Sequence, residues 1–161
     1  MKQWNIKKQD LHGNHGRYHK YYIRAMAIMP NSKYLFTGDY KGKLKQWNIK
    51  KEKNKFKFKN AHNGCVCAIN ISPCGERMFS GDNDGYLKQW SIKKKECVKV
   101  WGKIMENWID TMTISVINNQ CYLFVSGDVG TLQQWDLDKG VLIKTNKGYH
   151  EKEILCIASS H

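Results

Sequence analysis

One short phrase returns along this chain at nearly constant spacing. "KQWNIKK" at residues 2–8 reappears as "LKQWNIKK" at 44–51, as "LKQWSIKK" at 87–94 and as "LQQWDLDK" at 132–139. The tryptophans it carries, Trp4, Trp47, Trp90 and Trp135, are separated by 43, 43 and 45 residues. Each of the last three follows a matching signal: "FTGD" at 36–39, "FSGD" at 79–82 and "VSGD" at 125–128. A period of this length denotes one supersecondary unit that cannot bury its apolar face alone and must stack on its neighbours.

Within a period, apolar residues alternate two by two between turn residues. In the clearest unit the runs are Cys65 to Ile71, Arg77 to Ser80, Tyr86 to Ile92 and Cys97 to Trp101, with turns at Ser72-Pro73-Cys74-Gly75 and at Asp82 to Gly85. This predicts four short strands per unit. No window carries apolar residues at i, i+3, i+4, i+7 between helix caps, so the chain reads as all-β.

Four short antiparallel strands repeated at this period resemble the WD-repeat (WD40) family, whose units are blades of a β-propeller. The resemblance covers nearly the whole chain. It is most specific in "AHNGCVCAINISPCGERMFSGDNDGYLKQWSIKK", Ala61 to Lys94, with its Gly-His-like start, Ser-Pro-x-Gly turn, Ser-Gly pair and an Asp six residues before Trp. The closing dipeptide varies: Trp-Asn at Trp4 and Trp47, Trp-Ser at Trp90, and Trp-Asp only at Trp135-Asp136. The resemblance implies a partial WD40 propeller with three complete four-stranded blades at 19–59, 62–101 and 106–145, a partial blade at 1–11 and the start of another at 150–161. An arc that begins and ends in mid-blade has two raw edges. Self-association, a complementing propeller half or a larger ring is therefore expected.

In this family His62, Ser80, Asp84 and Trp90 fall on positions that form a buried hydrogen-bonded tetrad. The physical need is an acceptor for an indole N–H between strands, with hydroxyl, imidazole and carboxylate passing the bond onward. The same residue types would suit a catalytic triad, but they recur as structural parts of a repeat, and no catalytic residue is expected. The first unit has His19, Thr37 and Trp47, with Lys41 where the carboxylate should stand. The third has Ser126 and Trp135, lacks the His, and is one residue shorter between Gly127 and Trp135. Both of those blades are expected to be less stable than the middle one.

The resemblance also implies a partner-binding face at the entrances of the innermost strands and at the turns before the Trp strands. Those positions are Tyr22, Arg24 and Tyr40 in the first unit, Cys65, Cys67 and Asn83 in the second, and Trp108, Asp110 and Asp128 in the third. Tyr, Trp and Arg are residue types that anchor protein interfaces. Packing of Tyr22 and Trp108 between blades is the competing reading. The implied role is a non-catalytic scaffold that gathers other proteins into a complex, with no cofactor.

Charge offers an alternative. The formal net charge is +13, which draws a chain toward nucleic acid or acidic membrane. Of 27 basic residues, however, only Arg17, Arg24 and Arg77 are arginine. A drift of composition toward Lys and Asn explains the excess as well as a binding patch at 50–59 or 93–95 does. Lys57, Lys59 and Lys99 fall on expected outer strands, where outward lysines discourage wrong edge pairing.

Other site chemistry finds little support. The six cysteines contain no C-x-x-C and read as reduced thiols. Cys65 and Cys67 with His62 and Cys74 lack the usual zinc spacing, so no metal is expected. The glycines of "GDYKG" and "GDNDG" precede strands, whereas a phosphate loop opens a helix. Apolar runs far short of the ~20 residues that cross a bilayer, and an N-terminus without an apolar signal core, lead to the expectation of a cytoplasmic protein.

Overall fold

A computed structural model describes residues 2–5 and 10–14 through their backbone, and residues 19–50, 55–127, 130–147 and 150–158. Among these residues the chain forms β-strands and no α-helix, so none contains a helix long and apolar enough to cross a membrane.

Strands β1 (Lys2–Asn5) and β2 (Asp10–Asn14) pair as a hairpin. Three four-stranded antiparallel sheets follow. The first contains β3 (Ile23–Ile28), β4 (Tyr34–Asp39), β5 (Leu44–Asn48) and β6 (Lys55–Phe58). The second contains β7 (Val66–Ile71), β8 (Arg77–Asp82), β9 (Tyr86–Ser91) and β10 (Glu96–Lys103). The third contains β11 (Ile109–Ile117), β12 (Gln120–Gly127), β13 (Thr131–Asp136) and β14 (Val141–Asn146). In each, strands lie in chain order, the meander expected when tight turns join successive strands. The β11–β12 turn shows the chemistry: Asn118 and Asn119 both take positive φ, 49° and 63°, as a two-residue turn matched to strand twist requires.

The hydrophobic core lies between sheets. Successive strand residues point to opposite faces, so a sheet sandwiched between two others must be apolar on both. In β8, Met78 joins Ala25, Phe36, Leu44 and Phe58 in one cluster, while its neighbour Phe79 joins Ile109, Met112 and Leu123 in the other. Met78 and Phe79 are both wholly buried. Trp90 packs edge-on to Phe58 across the first interface, with ring centroids 5.3 Å apart.

Two glycine rows let the sheets approach. Val66 lies where a Cβ on Gly38 would stand, and Ile109 does the same at Gly81. At the turns, Gly42 and Gly85 (φ +73° and +84°) lie against the carbonyls of His62 and Met105, and their own carbonyls accept the His62 and Ile104 N–H groups. Each turn glycine is thus the joint on which the segment entering the next sheet is seated, where only a residue without Cβ fits.

Candidate interaction surface

A buried hydrogen-bonded network ties strands of the second sheet to the segment that enters it. Trp90 Nε1 donates to Ser80 Oγ at 2.8 Å, Ser80 lies 2.7 Å from His62 Nε2, and His62 Nδ1 lies 2.6 Å from Asp82 Oδ2. The serine oxygen accepts from the indole N–H, so its own O–H donates to Nε2, and Nδ1–H donates to the carboxylate. The carboxylate is therefore Asp82 and not the expected Asp84, which is exposed in the following turn. The reason is local: β8 runs on through Asp82 instead of stopping at Ser80, and residues two apart on a strand share a face. The second oxygen, Asp82 Oδ1, accepts the Asp84 and Tyr86 N–H groups at 3.0 and 2.9 Å and closes the turn. Burial pushes the Asp82 carboxyl up, but the bonds from His62 and from those N–H groups outweigh it and hold the group below its ordinary range.

The first sheet repeats this arrangement in full, which corrects the expectation of a missing carboxylate at Lys41. Trp47 Nε1 donates to Thr37 Oγ1 at 2.8 Å, Thr37 lies 2.7 Å from His19 Nε2, and His19 Nδ1 lies 2.6 Å from Asp39 Oδ2. Asp39 Oδ1 accepts the Lys41 and Lys43 N–H groups, both at 2.9 Å. Lys41 contributes only its backbone to this site. The third sheet departs: Ser126 Oγ donates to the Ile154 carbonyl at 2.8 Å, and Trp135 Nε1 turns to Gln133 Oε1 at 2.9 Å. With no imidazole between them, the two groups part.

Beside this framework the inner strands share one irregularity. Ladder register slips between Ile23 and Ala25, between Val66 and Ala68, and between Ile109 and Thr111. The residue left out of each ladder is Arg24, Cys67 or Asp110. A bulge inserts one residue and re-aims its side chain, here at the same position of three adjacent sheets. The Cys67 thiol feels both of the other two. Burial and the neighbouring Cys65 thiol push the Cys67 thiol up, Arg24 draws it down and Asp110 raises it further, leaving it above the usual thiol range.

Two residues before each bulge stand Tyr22, Cys65 and Trp108. Tyr22 is 80% exposed and Trp108 37%, whereas Cys65 is buried at 3%. Cys65 is thus removed from the expected contact face: its small thiol lies inside, and its carbonyl receives the Asn83 N–H at 3.0 Å. The equivalent bond joins Tyr40 N–H to the Tyr22 carbonyl at 2.9 Å, which brings those two exposed tyrosines together. Asn83 Oδ1 is buried without a hydrogen-bond partner among the described residues. Asp128 lies outside the described residues. Arg24, Trp108 and Asp110 also line a cavity of about 360 Å³ with Asn107, Glu153 and Leu155, the last two from the segment after β14 that sequence reasoning did not assign to the face.

The remaining thiols and lysines are placed as follows. All six cysteines are free; Cys67 Sγ meets the Cys65 carbonyl at 3.4 Å and Cys74 Sγ meets Ser72 Oγ at 3.2 Å. Lys99, on the outer strand β10, sets its ammonium 3.7 Å from the Trp101 ring centroid, a cation–π contact added to its place on the edge.

The repeats themselves are matched by a family model. Residues 13–48 and 53–91 fit the WD domain, G-beta repeat. These two segments are WD40 repeats. Among solved structures, the chain resembles one titled "Structure of U3-55K", with a TM-score of 0.73 and 14% identity over 85% of this chain. It is equally similar to a "Crystal structure of RRP9 WD40 repeats", with a TM-score of 0.73 and 14% identity over 84% of this chain. It spans 42% of the length of each, and at this identity the likeness is one of fold. No curated protein matches the sequence.

Proposed function

We propose that this chain is a non-catalytic scaffold that binds other proteins through the rim of its inner strands. The observation that carries the reading is the alignment of three bulges at Arg24, Cys67 and Asp110, two residues after Tyr22, Cys65 and Trp108, with Arg24 and Asp110 both close enough to act on Cys67. Exposed Tyr and Trp beside Arg are the residue types that supply binding energy at protein interfaces. A role without catalysis is supported by the chemistry present: the buried His–Asp pairs serve the indole networks, and Cys67 is held as a thiol, not as a nucleophilic thiolate. On this reading blades occupy 19–59, 62–101 and 106–145, with partial blades at 1–11 and 150–161. The free cysteines agree with a reducing, cytoplasmic setting.

The test compares proteins that co-purify with the wild type, with Arg24→Glu and with Trp108→Ala, each shown to be folded by circular dichroism. Loss of the same specific proteins from both variants is expected. An unchanged set of partners would remove the rim from the interface.

A further inference from the structure

A second concave site has a lining distinct from that of the Arg24–Asp110 cavity. Strands β5 and β6 and the segment 59–63 border a cavity of about 620 Å³, whose lining includes Lys20, Lys43, Lys45, Lys57 and Lys59 together with Tyr21. Asp39 is the single carboxylate among the lining residues, and its oxygens are engaged with His19 and with the Lys41 and Lys43 N–H groups.

This density of like charge has a cost. Lys45 and Lys57 occupy directly opposed positions of the β5–β6 ladder, where equal charges repel. Edge protection accounts for Lys57 and Lys59 beside or on the outermost strand β6. Edge protection does not extend to Lys45, which lies on the interior strand β5 and sets its ammonium 5.8 Å from the Trp47 ring centroid, or to Lys20 and Lys43, which lie on no edge strand. A polyanion is the ligand class that such a concentration of positive charge attracts.

The lining also selects among polyanions. Its cations are lysines, point charges that suit phosphate oxygens and lack the planar fork that reads base edges. Tyr21 is 41% exposed and offers a ring on which a base can stack. Lys20 and Lys41 place their ammonium groups 5.7 and 5.8 Å from that ring's centroid, so charge and aromatic surface adjoin. A concave groove follows a flexible strand, whereas an acidic bilayer presents a flat surface. We propose that this groove binds single-stranded nucleic acid, with phosphates on the lysines and a base on Tyr21, without preference for sequence. The groove adjoins the inner rim, since Lys41 sets its ammonium 5.8 Å from the ring centroids of both Tyr21 and Tyr40; its test reads affinity for a nucleic-acid strand, whereas the scaffold reading is tested on co-purifying proteins.

The experiment is fluorescence anisotropy of the full chain with a labelled single-stranded oligouridylate of about twelve nucleotides, over a salt series from about 50 to 200 mM. Two double variants change net charge equally: Lys57→Glu with Lys59→Glu in the groove, and Lys93→Glu with Lys94→Glu in the β9–β10 turn. The groove pair is expected to weaken binding at least about tenfold and to flatten the salt slope by about two, and the control pair to weaken it less than about threefold. Tyr21→Ala is expected to weaken binding about fivefold or more with the salt slope unchanged. If the charge reversals unfold the protein, Lys57→Gln with Lys59→Gln replaces them, with the same ranking expected. Equal losses from the two pairs, absence of binding by the wild type, or displacement of the oligonucleotide by phosphatidylserine vesicles as readily as by unlabelled strand would each overturn the proposal.

Discussion

His62 and Asp82 are joined at 2.6 Å, twenty residues apart in sequence, and His19 and Asp39 repeat the distance and the separation one period earlier. The carboxylate in each case is the last residue of its strand, two positions beyond the hydroxyl that holds the tryptophan. One strand face thus presents hydroxyl and acid together, and the incoming histidine bridges them.

That geometry separates two neighbouring acids. Asp82→Asn should destabilise the fold by about 2 kcal/mol or more, since it removes a charge-assisted bond and weakens two turn bonds, whereas exposed Asp84→Asn should stay within about 0.5 kcal/mol. His19→Ala and His62→Ala should cost similar amounts, because both sheets carry the complete network. Urea titrations of the four variants provide the comparison; a larger loss at Asp84 than at Asp82 would contradict the assignment.

Acid should weaken the fold in two stages. Burial lowers the His19 pKa most; the Asp39 hydrogen bond opposes this, and the Lys45 charge adds to the lowering, so the net shift is below 6.5. The unfolded chain then takes up the proton first, and stability declines as pH falls below about 6.5, levelling once folded His19 is also protonated. Asp82 is shifted below its ordinary 3.8, so its contribution is complete above that value and is lost as pH falls through the lower folded value. Urea midpoints between about pH 8 and pH 3 should show both declines, and His19→Gln should flatten the upper one.

The turn glycines should be irreplaceable for a reason that φ alone does not supply. Gly85→Ala places a Cβ against the Met105 carbonyl and strains a φ of +84°, while Gly102→Ala meets a φ of +91° with open space around it. The strain is common to both, so the difference measures the joint between sheets. Gly85→Ala is expected to cost more than about 1 kcal/mol beyond Gly102→Ala. Equal thermal shifts in calorimetry would place the joint elsewhere.

The interface between the second and third sheets should behave as core. Phe79→Ala removes a wholly buried ring between Ile109, Met112 and Leu123 and should cost about 3–5 kcal/mol. Exposed Val98→Ala on the outer strand β10 should cost much less. Chemical denaturation of both variants checks the contrast.

The 43-residue return of the tryptophan phrase and the period-two alternation were enough to establish four-stranded sheets in chain order, because each depends on residues near one another in sequence. The partner of His62 was not legible, since Asp82 and Asp84 have the same chemistry and differ only in which side of a strand end they occupy. Whether β8 stops at Ser80 or runs to Asp82 is decided by pairing with β7, where Val66 takes Asp82 as its partner. Cys65 and Tyr22 likewise share a repeat position, yet one is buried and the other open, a difference of side-chain size and surroundings that spacing does not encode. Local pattern determined the repeat unit and its strands. Only the stacking of sheets decided which acid completes each network, which side chains the bulges gather at the rim, and where five lysines close on one groove, because each is a relation between strands that pairing and burial bring together.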